Sequence, residues 1–69
     1  MNKFSERIKE LRIERGLSRT ELAKQLNTLM RTVAYWETGE RECSFDTLIA
    51  IAEFFEVSVD YLLGVKDFF

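Results

Sequence analysis

Apolar residues recur at helical spacing in five short blocks, and glycine, asparagine or serine stands between the blocks. Phe4, Ile8, Leu11 and Arg15 follow one face of a first helix, with Ser5 as its expected cap and Gly16 as its stop. Ser18, Arg19, Thr20 and Glu21 make a capping box: the serine hydroxyl accepts from the backbone three residues on, and Glu21 reaches back. Leu17 before the cap and Leu22 inside the helix fit a hydrophobic staple. Leu22, Ala23 and Leu26 then form a narrow apolar stripe, and Asn27 tolerates the left-handed conformation that ends a helix. A third helix is expected from about Leu29 to Glu37, with Val33 and Trp36 inward and Gly39 as its stop. Ser44 opens a fourth helix. Phe45, Leu48, Ile49, Ala52 and Phe55 follow the i, i+3, i+4, i+7 pattern and are expected to form the main core wall. Ile51 lies on the flank of that stripe, with Ala50 and Phe54 off it. Val57, Ser58 and Leu62 repeat the staple-and-cap pattern in a short fifth helix that Gly64 ends. The pattern predicts an all-α, compact five-helix domain over residues 1–64, followed by a short apolar tail over 65–69.

The second and third helices, joined by a turn of about three or four residues, have the form of a helix-turn-helix, whose second helix can lie in the DNA major groove. The residues here are Gly16-Leu17-Ser18-Arg19, then Leu22-Ala23 and Leu26-Asn27, then Val33, Trp36-Glu37 and Gly39. Phe45-Asp46-Thr47-Leu48 and the run from Val57 to Gly64 continue the series. In this order and spacing the chain resembles the Cro and phage-repressor (Xre-type, lambda-repressor-like) helix-turn-helix family over about nine-tenths of its length.

The resemblance implies a sequence-specific regulator of phage or mobile-element (prophage) type, a repressor, whose third helix reads double-stranded DNA. By family position Met30, Arg31 and Tyr35 face base edges. Arg31 is the best reader of guanine, because its fork matches O6 and N7, while Met30 or Ala34 meets a thymine methyl group. Ser18, Arg19, Thr28, Thr32, Thr38, Arg41 and Arg12 are the expected groups for the DNA backbone. Arg12 is also expected to pair with Glu37, as the family's matching arginine and glutamate do. The implied partner is an operator with near-palindromic half-sites, bound by a homodimer.

The chain departs from the family pattern at the turn and in the loop after the third helix. Leu29 stands where a hydroxyl usually caps the third helix, which leaves Thr28, one residue earlier, as the alternative cap. Arg19 stands where the family often has glutamine, Thr38 where it has asparagine, and Glu40 where it has lysine. Glu40 repels phosphate, so fewer backbone contacts and a shallower salt dependence are expected.

Composition narrows the remaining choices. The 69 residues suffice for one small domain, and the 46% apolar content is ordinary for a folded one. Histidine is absent and Cys43 is the only cysteine. No zinc site, internal disulfide or Ser-His or Cys-His nucleophile pair is therefore available, and no glycine-rich phosphate loop is present. No catalytic residue, metal, cofactor or small-molecule ligand is assigned. No apolar run approaches a membrane span and the N-terminal residues are charged, which together with the lone cysteine fits a reducing cytoplasm. The net charge of −2 is unevenly spread. Residues 1–41 hold nine Lys or Arg against six Asp or Glu, and residues 42–69 hold one against six. One end thus tolerates phosphate and the other faces elsewhere. The tail ends in Phe68-Phe69, which with Phe54, Tyr61 and Leu63 is a candidate dimer surface. The acidic total, Leu29-Met30 on the reading face, Glu40 and this tail also support a second reading. In that reading the chain is a protein-interaction module or antitoxin on the same fold, with weak DNA binding.

Overall fold

A computed structural model describes residues 2–68, which form five helices and no strand. They are α1 (Phe4–Glu14), α2 (Arg19–Gln25), α3 (Met30–Thr38), α4 (Phe45–Phe55) and α5 (Val59–Leu63). Local chemistry accounts for most of their ends. Ser18 Oγ accepts from Glu21 N at 3.1 Å, and Glu21 Oε1 accepts from Ser18 N at 2.8 Å, so the capping box is complete. Ser44 and Ser58 cap α4 and α5 through Thr47 N and Tyr61 N. Asn27 has φ 56°. That left-handed residue lets Thr28 N donate to Ala23 O and Asn27 N to Lys24 O, which closes α2 with a Schellman motif.

The start of α1 differs from expectation. Ser5 lies inside the helix; Lys3 is the N-cap residue and makes no side-chain cap bond, while Asn2, one residue earlier, accepts from Phe4 N through Oδ1 at 3.0 Å and donates from Nδ2 to Glu42. Leu29 precedes α3 without any side-chain cap, so Thr28 does not replace the missing hydroxyl.

Helix α3 packs on α1 and α2, and α5 packs on α1 and α4. The core joins Phe4, Ile8, Leu11, Leu22, Ala23, Val33, Trp36, Leu48, Ile51, Ala52, Phe55 and Leu62. Two expected wall residues are absent from it. Phe45 is 86% exposed and Ile49 51% exposed, and Ile51 is fully buried instead. Helix α4 is apolar nearly all round, so Leu48, Ile51, Ala52 and Phe55 satisfy the same spacing rule as the expected set. Arg15 leaves the α1 stripe as well. It is exposed at the helix end, where its Nη2 donates to Phe55 O at the end of α4.

Arg7 is the largest surprise in the packing, being a buried arginine on α1. Its Nη1 donates to the carbonyls of Tyr61 and Lys66, and its Nη2 to Asp67 Oδ1 at 3.0 Å. This fastens the chain after α5 to α1.

Candidate nucleic-acid interface

Val33, Trp36 and Glu37 anchor the inner side of α3. Val33 is completely buried, and Trp36 packs edge-on against Phe4 with ring centres 6.3 Å apart. With that side fixed, helical spacing puts Arg31 and Tyr35 on the opposite side and Ala34 on its flank, while Met30, three residues before Val33 and seven before Glu37, opens the first turn toward the inner side. Met30 and Arg31 are exposed, and Ala34 and Tyr35 are half-buried. Arg31 makes no ion pair or hydrogen bond among the described residues, so its guanidinium is available to a ligand. Thr32 and Thr28 are half-buried beside this row, and Leu29 at its start is 62% exposed.

The loop after α3 folds back on Tyr35. Arg41 N donates to Tyr35 O, and the Arg41 guanidinium lies 4.8 Å from the centre of the Tyr35 ring. The Thr38 hydroxyl donates to the same carbonyl at 3.2 Å. Both candidate backbone-binding groups thus sit at the foot of the reading row, and both are exposed.

Glu37 is the electrostatic centre of the arrangement. Its side chain is 0% exposed, and its two oxygens accept from two arginines. Arg12 Nε donates to Oε2 at 2.7 Å and Nη2 to Oε1 at 3.0 Å, while its Nη1 donates to Leu17 O at 2.9 Å. The expected Arg12–Glu37 pair is therefore present, bidentate and nearly dry, with Arg12 only 12% exposed. The hydrogen bonds that Arg12 donates to Glu37 raise its pKa above the ordinary value, against the opposing effect of burial. Arg19 also uses Glu37, with Nε donating to Oε1 at 3.1 Å, a link that local sequence does not announce. Ser18 sits one residue earlier, exposed, with its oxygen committed to the cap. The crossing of α1, α2 and α3 thus brings Arg12, Ser18, Arg19 and Glu37 into one cluster.

The candidate dimer residues do not share one environment. Phe54 is half-buried against Phe55, and Tyr61 is half-buried beneath Arg7, whose guanidinium lies 4.1 Å from the ring centre. Leu63 lines a shallow groove of about 240 Å³ with Phe4, Cys43, Phe45 and Leu48. Phe68 is exposed, and Phe69 lies outside the described residues. Among the described residues no helix is long and apolar enough to cross a membrane.

Two helices joined by a left-handed turn at Asn27, with the outer row of the second left open, define a helix-turn-helix protein. Comparison with known proteins agrees. A family model described as helix-turn-helix matches residues 8–62. The chain belongs to the Xre/Cro-type helix-turn-helix family of transcriptional regulators. It is 37% identical over 60 residues to the uncharacterized HTH-type transcriptional regulator YqaE of Bacillus subtilis, covering 87% of this chain and 52% of that protein. It is 33% identical over 64 residues to the HTH-type transcriptional activator BcrR of Enterococcus faecalis, covering 93% of this chain and 31% of that protein. The chain thus spans about a third and about a half, respectively, of BcrR and YqaE. The P22 c2 repressor, solved in complex with a synthetic operator, superposes with a TM-score of 0.86 at 26% identity, over 96% of this chain and all of that one.

Proposed function

We propose that this chain binds double-stranded DNA as a sequence-specific transcriptional regulator of repressor type, with α3 in the major groove. The observation that carries this reading is the open side of α3 formed by Arg31 and Tyr35, with Arg31 unpartnered among the described residues, on a domain that superposes on a repressor solved with its operator. In this reading Arg31 recognises guanine, Met30 and Ala34 meet thymine methyl groups, and Tyr35 reaches a base or phosphate. Ser18, Arg19, Thr28, Thr32, Thr38 and Arg41 set the register on the backbone. Arg12 is spent chiefly on Glu37. Two copies would place their α3 helices about one DNA turn, roughly 34 Å, apart on a near-palindromic operator. Phe54, Tyr61, Leu63, Phe68 and Phe69 are the proposed contacts between those copies.

The test is binding to duplex DNA from around the protein's own gene, against random duplex, over a salt series. Preference for the native fragment that weakens as salt rises is expected. Equal weak binding to both duplexes, or none at low salt, would count against a regulator.

One observation favours the protein-interaction or antitoxin reading: Phe45, Ile49, Leu29 and Met30 are large apolar groups left exposed. Reversing the charges of Arg19 and Arg31 separates the two. It abolishes DNA binding under the first reading and does little to protein capture under the second.

A further inference from the structure

Arg19 is the one arginine on the Glu37 carboxylate that is both held and open. Its Nε is committed to Glu37, yet its side chain is 37% exposed and its two Nη groups make no hydrogen bond among the described residues. Arg12, on the same carboxylate, is the reverse: each of its three nitrogens already donates inside the protein. Glu37 itself is wholly buried in the last turn of α3, where the helix dipole disfavours a negative charge. A carboxylate in that position is tolerable only because two guanidinium groups meet it.

We infer that Glu37 is a positioning residue for DNA binding: it fixes the Arg19 guanidinium by its Nε edge, so that the Nη edge is presented to a backbone phosphate. The inference rests on the DNA-binding reading above. A free surface arginine must give up rotamer freedom when it meets a phosphate, and a guanidinium already held by Glu37 gives up less. Arg12 completes the device by neutralising Glu37, which leaves the cluster of two arginines and one glutamate with a charge of +1 directed through Arg19. Lysine at position 19 could not do the same, because one ammonium cannot span Glu37 and a phosphate as the two edges of a guanidinium can.

The experiment measures the affinity of the full chain for a duplex by fluorescence anisotropy over a salt series, with circular dichroism melts of every variant. Positioning and simple charge predict opposite signs for Glu37→Gln. The substitution removes a negative charge, so charge alone gives tighter binding. Positioning gives weaker binding, by about tenfold, with a salt slope shallower by about one. Arg19→Ala should weaken binding by a similar factor, and Glu37→Gln should add little in that background. Arg19→Lys, which keeps the charge and leaves Glu37 with its bidentate Arg12 pair, should behave like Arg19→Ala, and it serves as the test if Glu37→Gln melts out. Tighter binding by a folded Glu37→Gln, or wild-type affinity in Arg19→Lys, would overturn the inference and leave the DNA-binding reading standing. Absence of any salt-dependent duplex binding by the wild-type chain would overturn both.

Discussion

The guanidinium of Arg7 lies 4.1 Å from the centre of the Tyr61 ring while its Nη1 donates to the Tyr61 and Lys66 carbonyls. One side chain on α1 thereby seats α5 and the segment after it. Its salt bridge to Asp67 is the lesser part of this, since Asp67 is almost fully exposed and such pairs are worth little. Arg7→Ala is expected to lower stability by about 1–3 kcal/mol through lost packing, cation–π attraction and carbonyl partners. Asp67→Ala is expected to cost less than about 0.5 kcal/mol. Chemical denaturation of the two variants checks the contrast, and equal losses would place the main hold on Asp67.

Arg31→Ala should remove operator preference while helical content stays unchanged. Loss of a bidentate contact to guanine is worth about 1–3 kcal/mol of discrimination. Competition between the native duplex and random duplex measures it, and undiminished preference would reassign the reading residue.

Among the described residues, two other than glycine hold left-handed backbone, Asn27 at φ 56° and Glu56 at φ 58°. Asparagine tolerates this conformation and glutamate does so poorly. Glu56→Gly should therefore stabilise the domain by about 1 kcal/mol, raising Tm by roughly 4–8 °C for a domain of this size. Asn27→Ala should shift Tm the other way. A lower Tm for Glu56→Gly would mean that its distant ion pair with Arg15 outweighs the backbone strain.

Leu29 starts α3 with its backbone extended, as a cap residue requires, but offers no side-chain acceptor. Leu29→Ser supplies one, and its exposed leucine side chain gives up little burial. A gain of about 1 kcal/mol is expected in thermal melts. An unchanged or lower Tm would show that the leucine packs against something that outweighs a cap.

Glu21 has a pKa below the ordinary carboxylate value, because its carboxylate accepts from the Ser18 backbone and then from its hydroxyl. A depressed folded pKa stabilises the fold above the unfolded value, and that contribution disappears as pH falls through the folded one. The α2 start should therefore loosen as pH falls below the ordinary glutamate range. Amide exchange at Glu21 and Ser18 reads the change, and Glu21→Gln should make this exchange insensitive to the same acid range.

The elements of this domain were legible because their ends are local. Ser18, Ser44 and Ser58 each cap through a backbone N–H three residues away, and Asn27, Gly39 and Gly64 end helices by their own backbone conformation. Such interactions need nothing from the rest of the chain. The inward placement of Val33 and Trp36 was legible for a related reason, since α3 carries a single apolar side. The Arg12–Glu37 pair came from family resemblance, and nothing in the spacing of residues 12 and 37 implies it.

Tertiary structure alone decided the rest. Helix α4 offers several overlapping apolar stripes, so only its neighbours could choose Ile51 for the core and leave Phe45 and Ile49 outside. Helix α1 starts before Ser5, and the Asn2 side chain that accepts from Phe4 N also meets Glu42, forty residues away. Arg7 and Arg19 carry long side chains whose partners, Tyr61 and Glu37, lie far off in sequence. Periodicity states which side of a helix is apolar. It does not state which helix arrives there, and that decides whether a charged group is left in water or drawn into the fold.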